Sequence, residues 1–522
     1  MNTQSLFWRS LAAVLCLIAV AGSAAELILP ARIRAETIKG SGEFRVDEIN
    51  LTWDARKTAV VICDMWDKHW CEGATRRVGE MAPRMNEFVK KARSEGALIF
   101  HCPSDTMKFY ADTPGRKLAQ SAPKVEPKVP LLRWCSLDKA REAALPIDDT
   151  DGGCDTDSPP PKGPPYPWTR QIATLEVMEG DAITDSAEAY YLMQQRGIEN
   201  VIVMGVHLNM CVLGRPFSIR QMVNQGKYVV LVRDLTDTMY NPKRAPYVPH
   251  GVGTDLMVEH VEKFWCPTIA STALLGGKEM KFTDDVRPSV LFLVGDEEYK
   301  TAETVPAWAK RDLAWRGVNC TFIIDDPKQP ATLGGLEKLP EADALFISLK
   351  RRALTPEQFA IIRKHIDAGK PVLGIRTASH AFGAKKPEAG RAAWETFDVD
   401  VFGGHYENHY GKGPATVVTA VQGHVLARGW PGEAMKFTSS LYKSRNLAPG
   451  TTVVLNGTSE GRPEITEPVA WVRTEGGRRI FYTSLGSAED FREAAFRRLL
   501  VNAVLWATAQ PLPPANAPLT NP

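Results

Sequence analysis

Cys211 stands in the run Gly205-Val206-His207-Leu208-Asn209-Met210-Cys211-Val212-Leu213-Gly214-Arg215-Pro216-Phe217, after the apolar stretch Asn200-Val201-Ile202-Val203-Met204 and before a segment with helical spacing. A free thiol has a pKa of about 8.5 and the start of a helix lowers it, so a cysteine at a strand-to-helix turn is placed to act as a thiolate nucleophile. Asp64 follows another apolar run, Thr58 to Cys63. A carboxylate at a neighbouring strand end is suited to take the thiol's proton. The backbone amides of Met210 and Val212 would then offer donors to a developing oxyanion. Read without chemistry, Cys211 is one more small buried side chain, the usual state of cysteine.

The elements that must position these residues follow from hydrophobic periodicity. Thr58 to Cys63 and Ala97 to His101 read as short buried strands separated by an amphipathic helix ending near Ser94. The order repeats with Ala187 to Arg196 as helix, Asn200 to Met204 as strand, Pro216 to Asn224 as helix and Tyr228 to Val232 as strand. Such alternation predicts a parallel sheet with helices on both faces and ligands beyond the carboxyl ends of the strands, where Asp64, Cys211 and Asp234 fall. A second set of strand-like runs, Val290 to Val294, Thr321 to Ile324, Ala344 to Ile347, Val372 to Ile375 and Arg479 to Thr483, alternates with helical segments around Trp308 to Arg316, Pro356 to Ala368 and Phe496 to Ala507.

The chain's 522 residues exceed one ordinary core. The expected architecture is α/β, with two three-layer, doubly wound domains, each with a mainly parallel sheet: residues 50–270 and 287–508, a linker at 271–286 and a flexible Pro/Ala-rich tail at 509–522. An acidic, proline-rich insertion occupies about 124–166. Its carboxylates from Asp148 to Asp157 could wrap a hard cation but do not match the EF-hand spacing, and the simpler reading is a solvated loop.

A hydrophobic fraction of 44%, a charged fraction of 24% and a net charge of +2 exclude wholesale disorder and give no reason to expect a nucleic-acid partner. Small-molecule substrates are expected, and self-association is left open. Arg9, the apolar run Leu11 to Val20 and the small residues Ala21 to Ala25 have the layout of a secretory signal peptide over residues 1–25, so an exported, periplasmic or extracellular protein is expected, with no other membrane segment. Eight cysteines follow that segment without a CxxC pair, which predicts few disulfides and no zinc cluster.

Residues from about 58 to 270 resemble the isochorismatase-like cysteine hydrolases, which include the nicotinamidases. The resemblance runs through Val60-Val61-Ile62-Cys63-Asp64-Met65, Asp67-Lys68-His69-Trp70-Cys71-Glu72-Gly73 and the Cys211 turn. It implies an Asp, Lys, Cys triad acting on an amide or related carbon. No lysine occurs from Gly163 to Gly226, and Arg170 is the candidate substitute, able to stabilise a thiolate but not to exchange a proton near neutral pH. The resemblance also points to a divalent metal, for which His101 and Asp105 are the two candidate ligands; two fall short of a site.

Residues from about 287 to 508 resemble the ThuA-like trehalose-utilisation family, whose fold is similar to class I glutamine amidotransferases, through Gly374 to Phe382 and Phe402 to His409. Where an amidotransferase would carry its cysteine this chain has Arg376, so glutaminase chemistry is not expected. A polar set remains, Arg376, His380, His405, Asn408 and His409, suited to a sugar's hydroxyls or to proton transfer by an imidazole titrating near neutrality. Three readings follow: a cysteine hydrolase fused to a carbohydrate-directed domain, a non-catalytic or carbohydrate-binding protein whose hydrolase module has decayed, or an activity residing in the ThuA-like domain on a sugar.

Overall fold

The computed structural model describes residues 25–325, 333–411 and 413–521. The signal peptide expected over residues 1–25 therefore lies outside the described residues except for Ala25.

The first sheet has eight strands: β1 (Glu26–Glu36), β2 (Phe44–Asp54), β3 (Thr58–Cys63), β4 (Leu98–Cys102), β5 (Ala182–Ile183), β6 (Asn200–Val206), β7 (Tyr228–Asp237) and β8 (Thr268–Ile269). Their order is β2-β1-β8-β7-β6-β3-β4-β5, with β8 through β5 parallel and the β1/β2 hairpin added antiparallel at one edge. β3 and β6 are buried along their whole length, as a parallel strand covered on both faces must be. Alternate residues serve the two faces: Ala59 and Val61 enter one core, Val60 and Ile62 the other. The helix Glu72–Ser94 covers the second face with Val78, Met81, Met85, Phe88 and Val89, all buried.

From β3 the chain moves outward through β4 to β5, then returns to β6 on the other side of β3 and continues outward to β7 and β8. The strand order thus reverses between β3 and β6, the point at which an open α/β sheet leaves a crevice beyond its carboxyl ends. Asp64 ends one of these strands and Cys211 follows the other.

The second sheet comprises β9 (Ser289–Val294), β10 (Asn319–Ile324), β11 (Ala344–Ser348), β12 (Val372–Ile375), β14 (Thr416–Ala420), β15 (Met435–Phe437), β17 (Thr452–Ser459), β18 (Arg462–Glu475) and β19 (Arg478–Thr483). β13 (His405–His409) and β16 (Tyr442–Arg445) form a separate antiparallel pair. The order β10-β9-β11-β12-β19-β18-β17-β14-β15 is parallel as far as β19 and antiparallel beyond it. Both halves are α/β with mainly parallel central strands, and both carry an antiparallel extension that the hydrophobic runs did not reveal.

Two expected features differ. The tail packs instead of hanging free: Arg428 Nη1 donates to the Leu512 carbonyl at 3.0 Å, Trp315 Nε1 donates to the Leu519 carbonyl at 3.3 Å, and Ala517 is buried. Proline-rich chain has few N–H donors of its own, which leaves its carbonyls to accept from side chains. The acidic insertion is likewise docked. One disulfide, Cys71–Cys154, pins it to the start of Glu72–Ser94, while Asp149 accepts from Asn209 Nδ2 and Asp151 from Asn241 Nδ2, both at 2.8 Å. Among the described residues no other disulfide occurs, and no helix is long and apolar enough to cross a membrane.

Candidate active site at the first switch point

Gly205, near the end of β6, has φ +109°, and a Cβ there would sit 2.1 Å from the Cys63 carbonyl oxygen. Only glycine lets β6 run this close to β3 in that conformation. The Val206–His207 peptide is cis, and the turn then delivers Cys211 to the first position of a one-turn helix, Cys211–Gly214. Asp64 itself is in the left-handed region at φ +47°, buried, with its Oδ1 accepting from the Ser104 amide at 2.7 Å.

Cys211, Asp64 and Arg215 meet at this point. The thiol contacts both the Asp64 carboxylate and the Arg215 guanidinium, and Arg215 Nε lies 3.4 Å from Asp64 Oδ2. Arg215 follows the cysteine by four residues, and its amide donates to the Cys211 carbonyl at 3.0 Å, so the single helical turn brings the side chain back over the sulfur. Arg170, the expected cation, lies elsewhere: its side chain is half exposed, with Nε 4.0 Å from Asp67 Oδ2 and the guanidinium 5.5 Å from the Phe109 ring centroid. The cation beside the thiol thus comes from downstream of the cysteine; the signal that could have found it was the i, i+4 spacing of Cys211 and Arg215.

The electrostatics correct a second expectation. Burial pushes the Cys211 thiol well up, Asp64 adds to this, and Arg215 opposes it. A helix of one turn does not supply enough aligned dipole to reverse the balance. Burial also lifts the Asp64 carboxyl above its usual range, against Arg215 and the hydrogen bonds it accepts. The cysteine therefore rests as a thiol, beside a carboxyl group more basic than an exposed one. Met210 and Val212 amides both donate to the His207 carbonyl, at 3.0 and 3.1 Å, which leaves the Cys211 N–H as the turn amide outside that pair of bonds.

An aromatic wall stands beside the turn. Tyr166, Trp168 and Trp66 stack at centroid separations of 4.4 Å, and His69 continues the stack 5.5 Å from Trp168 and meets His207 edge-on at 5.0 Å. Burial holds the His69 ring down at about 4, so it is neutral. The docked insertion supplies the other flank: Cys135 N donates to the Gly214 carbonyl at 2.7 Å, and Arg215 lies 5.7 Å from the Trp134 ring centroid.

The metal candidates do not converge. The His101 ring is taken by Gln171 Oε1 at 3.0 Å and Asp181 Oδ2 at 3.2 Å, whereas Asp105 faces Arg215, 3.8 Å away. Asp234 accepts from the Ser271 amide and hydroxyl, both at 2.6 Å, and fastens the chain after β8.

At the second sheet the strand order reverses between β9 and β11. Arg376 follows β12 at φ +48°, buried, and Nη1 donates to the Ser440 and Ser484 carbonyls at 2.8 and 2.6 Å. Its guanidinium lies between Tyr442, 4.0 Å from the ring centroid, and Tyr299, at 4.9 Å. His380 stacks on Tyr406 at 4.6 Å, and Tyr406 lies 4.4 Å from Tyr442. Burial and the nearby Arg351 hold the His380 ring down at about 3, so it does not titrate near neutrality as expected. The rest of the polar set bonds locally: His405 pairs with Asp398 at 3.2 Å, Asn408 Oδ1 accepts from the His409 amide at 2.9 Å, and His409 Nδ1 accepts from the Gly411 amide at 3.0 Å. Tyr299, Tyr406 and Tyr442, which the sequence did not single out, take their place around Arg376 and His380.

With this geometry in place, residues 290–507 match the family model described as ThuA, trehalose utilisation, so the chain carries a ThuA domain over that span. Among solved structures, it is similar to a ThuA-like protein from Parabacteroides merdae, with 14% identity and TM-score 0.33 over 45% of this chain and 98% of the other. It is also similar to a cysteine hydrolase from Pseudomonas syringae pv. phaseolicola, with 15% identity and TM-score 0.27 over 42% of this chain and 91% of the other. An isochorismatase family protein from Desulfovibrio vulgaris shows 17% identity and TM-score 0.24, covering 42% and 96%. No curated protein matches the chain.

Proposed function

We propose that the protein is an exported cysteine-dependent hydrolase of the isochorismatase type that cleaves an amide or related C–N or C–O bond at Cys211, joined to a ThuA domain that takes a carbohydrate-derived ligand. The observation that carries this reading is the meeting of one thiol, one carboxylate and one guanidinium where the first sheet's strand order reverses. As a substrate carbonyl arrives, the Cys211 sulfur bonds to its carbon, the thiol proton passes to Asp64, and the carbonyl electron pair moves to oxygen. Collapse breaks the bond to the leaving group, which takes the proton back from Asp64. Water then attacks the thioester, giving its proton to Asp64, and the departing sulfur recovers that proton as thiol. Arg215 stays charged throughout and offsets the negative charge shared by sulfur and carboxylate, so Asp64 alone handles every proton transfer.

Export is supported by the composition of residues 9–25 and by the Cys71–Cys154 bridge, because disulfides persist in oxidising compartments. A carbohydrate-derived ligand for the second domain is supported by the tyrosine faces beside Arg376 and His380, which can stack on a sugar ring and donate to its hydroxyls. One observation favours the alternative of a binding protein with a silent hydrolase module, namely the raised Cys211 thiol. A screen of amides, esters and sugars with Cys211→Ala and His380→Ala variants separates them. The hydrolase reading expects Cys211→Ala to lose about a thousandfold or more in kcat on some amide or ester; turnover identical to wild type on every substrate found overturns it.

A further inference from the structure

A cavity of about 290 Å3 lies on the seam between the two halves of the chain, at the lower end of the size of small-molecule sites. Its apolar walls come from three places: Pro242, Val248 and Pro249 of the loop after β7, Val286 before β9, and Leu505 of the last helix with Pro511 beyond it; Gln510 adds a polar edge.

Arg316 also lines it, and Arg316 is only 3% exposed. Its Nε donates to the Asp312 carbonyl at 3.2 Å and its Nη2 to the Pro518 carbonyl, and among the described residues no carboxylate forms an ion pair with it. The neighbouring guanidinium of Arg498 makes the place more positive, and the Asp312 carboxylate, already shared by Arg311 and Arg497, offsets it only in part. The one acid in the wall, Asp284, is already engaged by Arg76 and lies 3.9 Å from Arg77. Past Pro242, Tyr247 and Pro511 the cavity adjoins a second hollow of about 400 Å3, in which Lys243 is the single charged residue. A buried cation without an ion-pair partner of its own is costly, and an anion supplied from outside lowers that cost.

From apolar walls around a buried guanidinium that lacks a carboxylate, with a second cation at the mouth, we infer that this seam binds a small amphiphilic carboxylate, its chain among Val248, Val286 and Leu505 and its carboxylate on Arg316. The site is separate from the Cys211 centre and does not depend on the hydrolase reading.

Isothermal titration of the full chain with hexanoate and with hexan-1-ol tests it. Hexanoate is expected to bind one per chain, and hexan-1-ol about tenfold or more weakly, because charge-assisted bonds to a guanidinium are roughly twice as strong as neutral ones. Arg316→Gln should bring hexanoate down to the level of the alcohol. Val286→Trp, at a position 68% exposed and therefore tolerant of bulk, should block both. Absence of hexanoate binding, equal binding of acid and alcohol, or undiminished hexanoate binding in Val286→Trp each overturns the site. Should Arg316→Gln fail to fold, the Val286→Trp result decides alone.

Discussion

Arg215 lies four residues beyond Cys211 in the chain and places its Nε 3.4 Å from Asp64 Oδ2, so the cation of the site comes from the cysteine's own turn. Removing it leaves Asp64 to raise the thiol unopposed. Arg215→Ala should slow alkylation of Cys211 by iodoacetamide at pH 8 about tenfold or more, since a cation in contact shifts a pKa by a unit or more. Arg170→Ala should leave the rate unchanged. Mass spectrometry of the Cys211 peptide over time measures both, and a slow Arg170→Ala beside a normal Arg215→Ala would reverse the assignment.

The same geometry fixes the direction of a pH dependence. Burial raises Asp64 and Arg215 restrains it, so kcat/KM on a cleaved substrate should rise with pH along a limb above the ordinary carboxylate range of about 4. Arg215→Lys should keep that limb near its wild-type position, and Arg215→Ala should move it upward. A limb that stays put in Arg215→Ala would separate Arg215 from the base.

Glu142 shows what holds the insertion down. Burial lifts its carboxyl, but donation from His260, Arg220 and Trp265, all at 2.8 Å, outweighs burial and holds it at about 2. The folded value lies below the ordinary glutamate value of 4.5, so the stabilisation is fully present above about pH 4.5 and is lost as the pH falls toward 2. Glu142→Gln leaves Arg220 buried without its counter-charge and should cost about 3 kcal/mol in urea unfolding at pH 7. The gap from wild type should narrow as unfolding is repeated from pH 4.5 downward; a constant gap would show that charge is not the cause.

The Cys71–Cys154 bridge closes a loop over a sequence separation of 83 residues. Replacing both cysteines with serine should cost about 2–4 kcal/mol. Because the tethered insertion flanks the Cys211 turn through Cys135 and Trp134, the double variant should also alkylate faster at Cys211 than wild type does. Unchanged alkylation with lowered stability would confine the bridge to a structural role.

Much of this was legible in order along the chain. The central strands carry continuous apolar runs, and alternation with helices predicted the parallel sheets and the strand-end positions of Asp64, Cys211 and Arg376. The β1/β2 hairpin and the antiparallel edge of the second sheet were not legible, because half-exposed strands such as Phe44–Asp54 mix charge with apolar residues and give no clean run.

By itself the sequence determined which residues end at the mouth of each sheet, since period and polarity are local properties of the chain. Only the tertiary structure decided the partners. Arg215 rather than Arg170 joins Cys211, the Met210 and Val212 amides turn to His207, and His405, Asn408 and His409 bond to Asp398, to each other and to Gly411 rather than to His380. Ionic and hydrogen-bonding partners are set by distances of a few ångströms between segments remote in sequence, and those distances exist only once both faces of the sheet have packed.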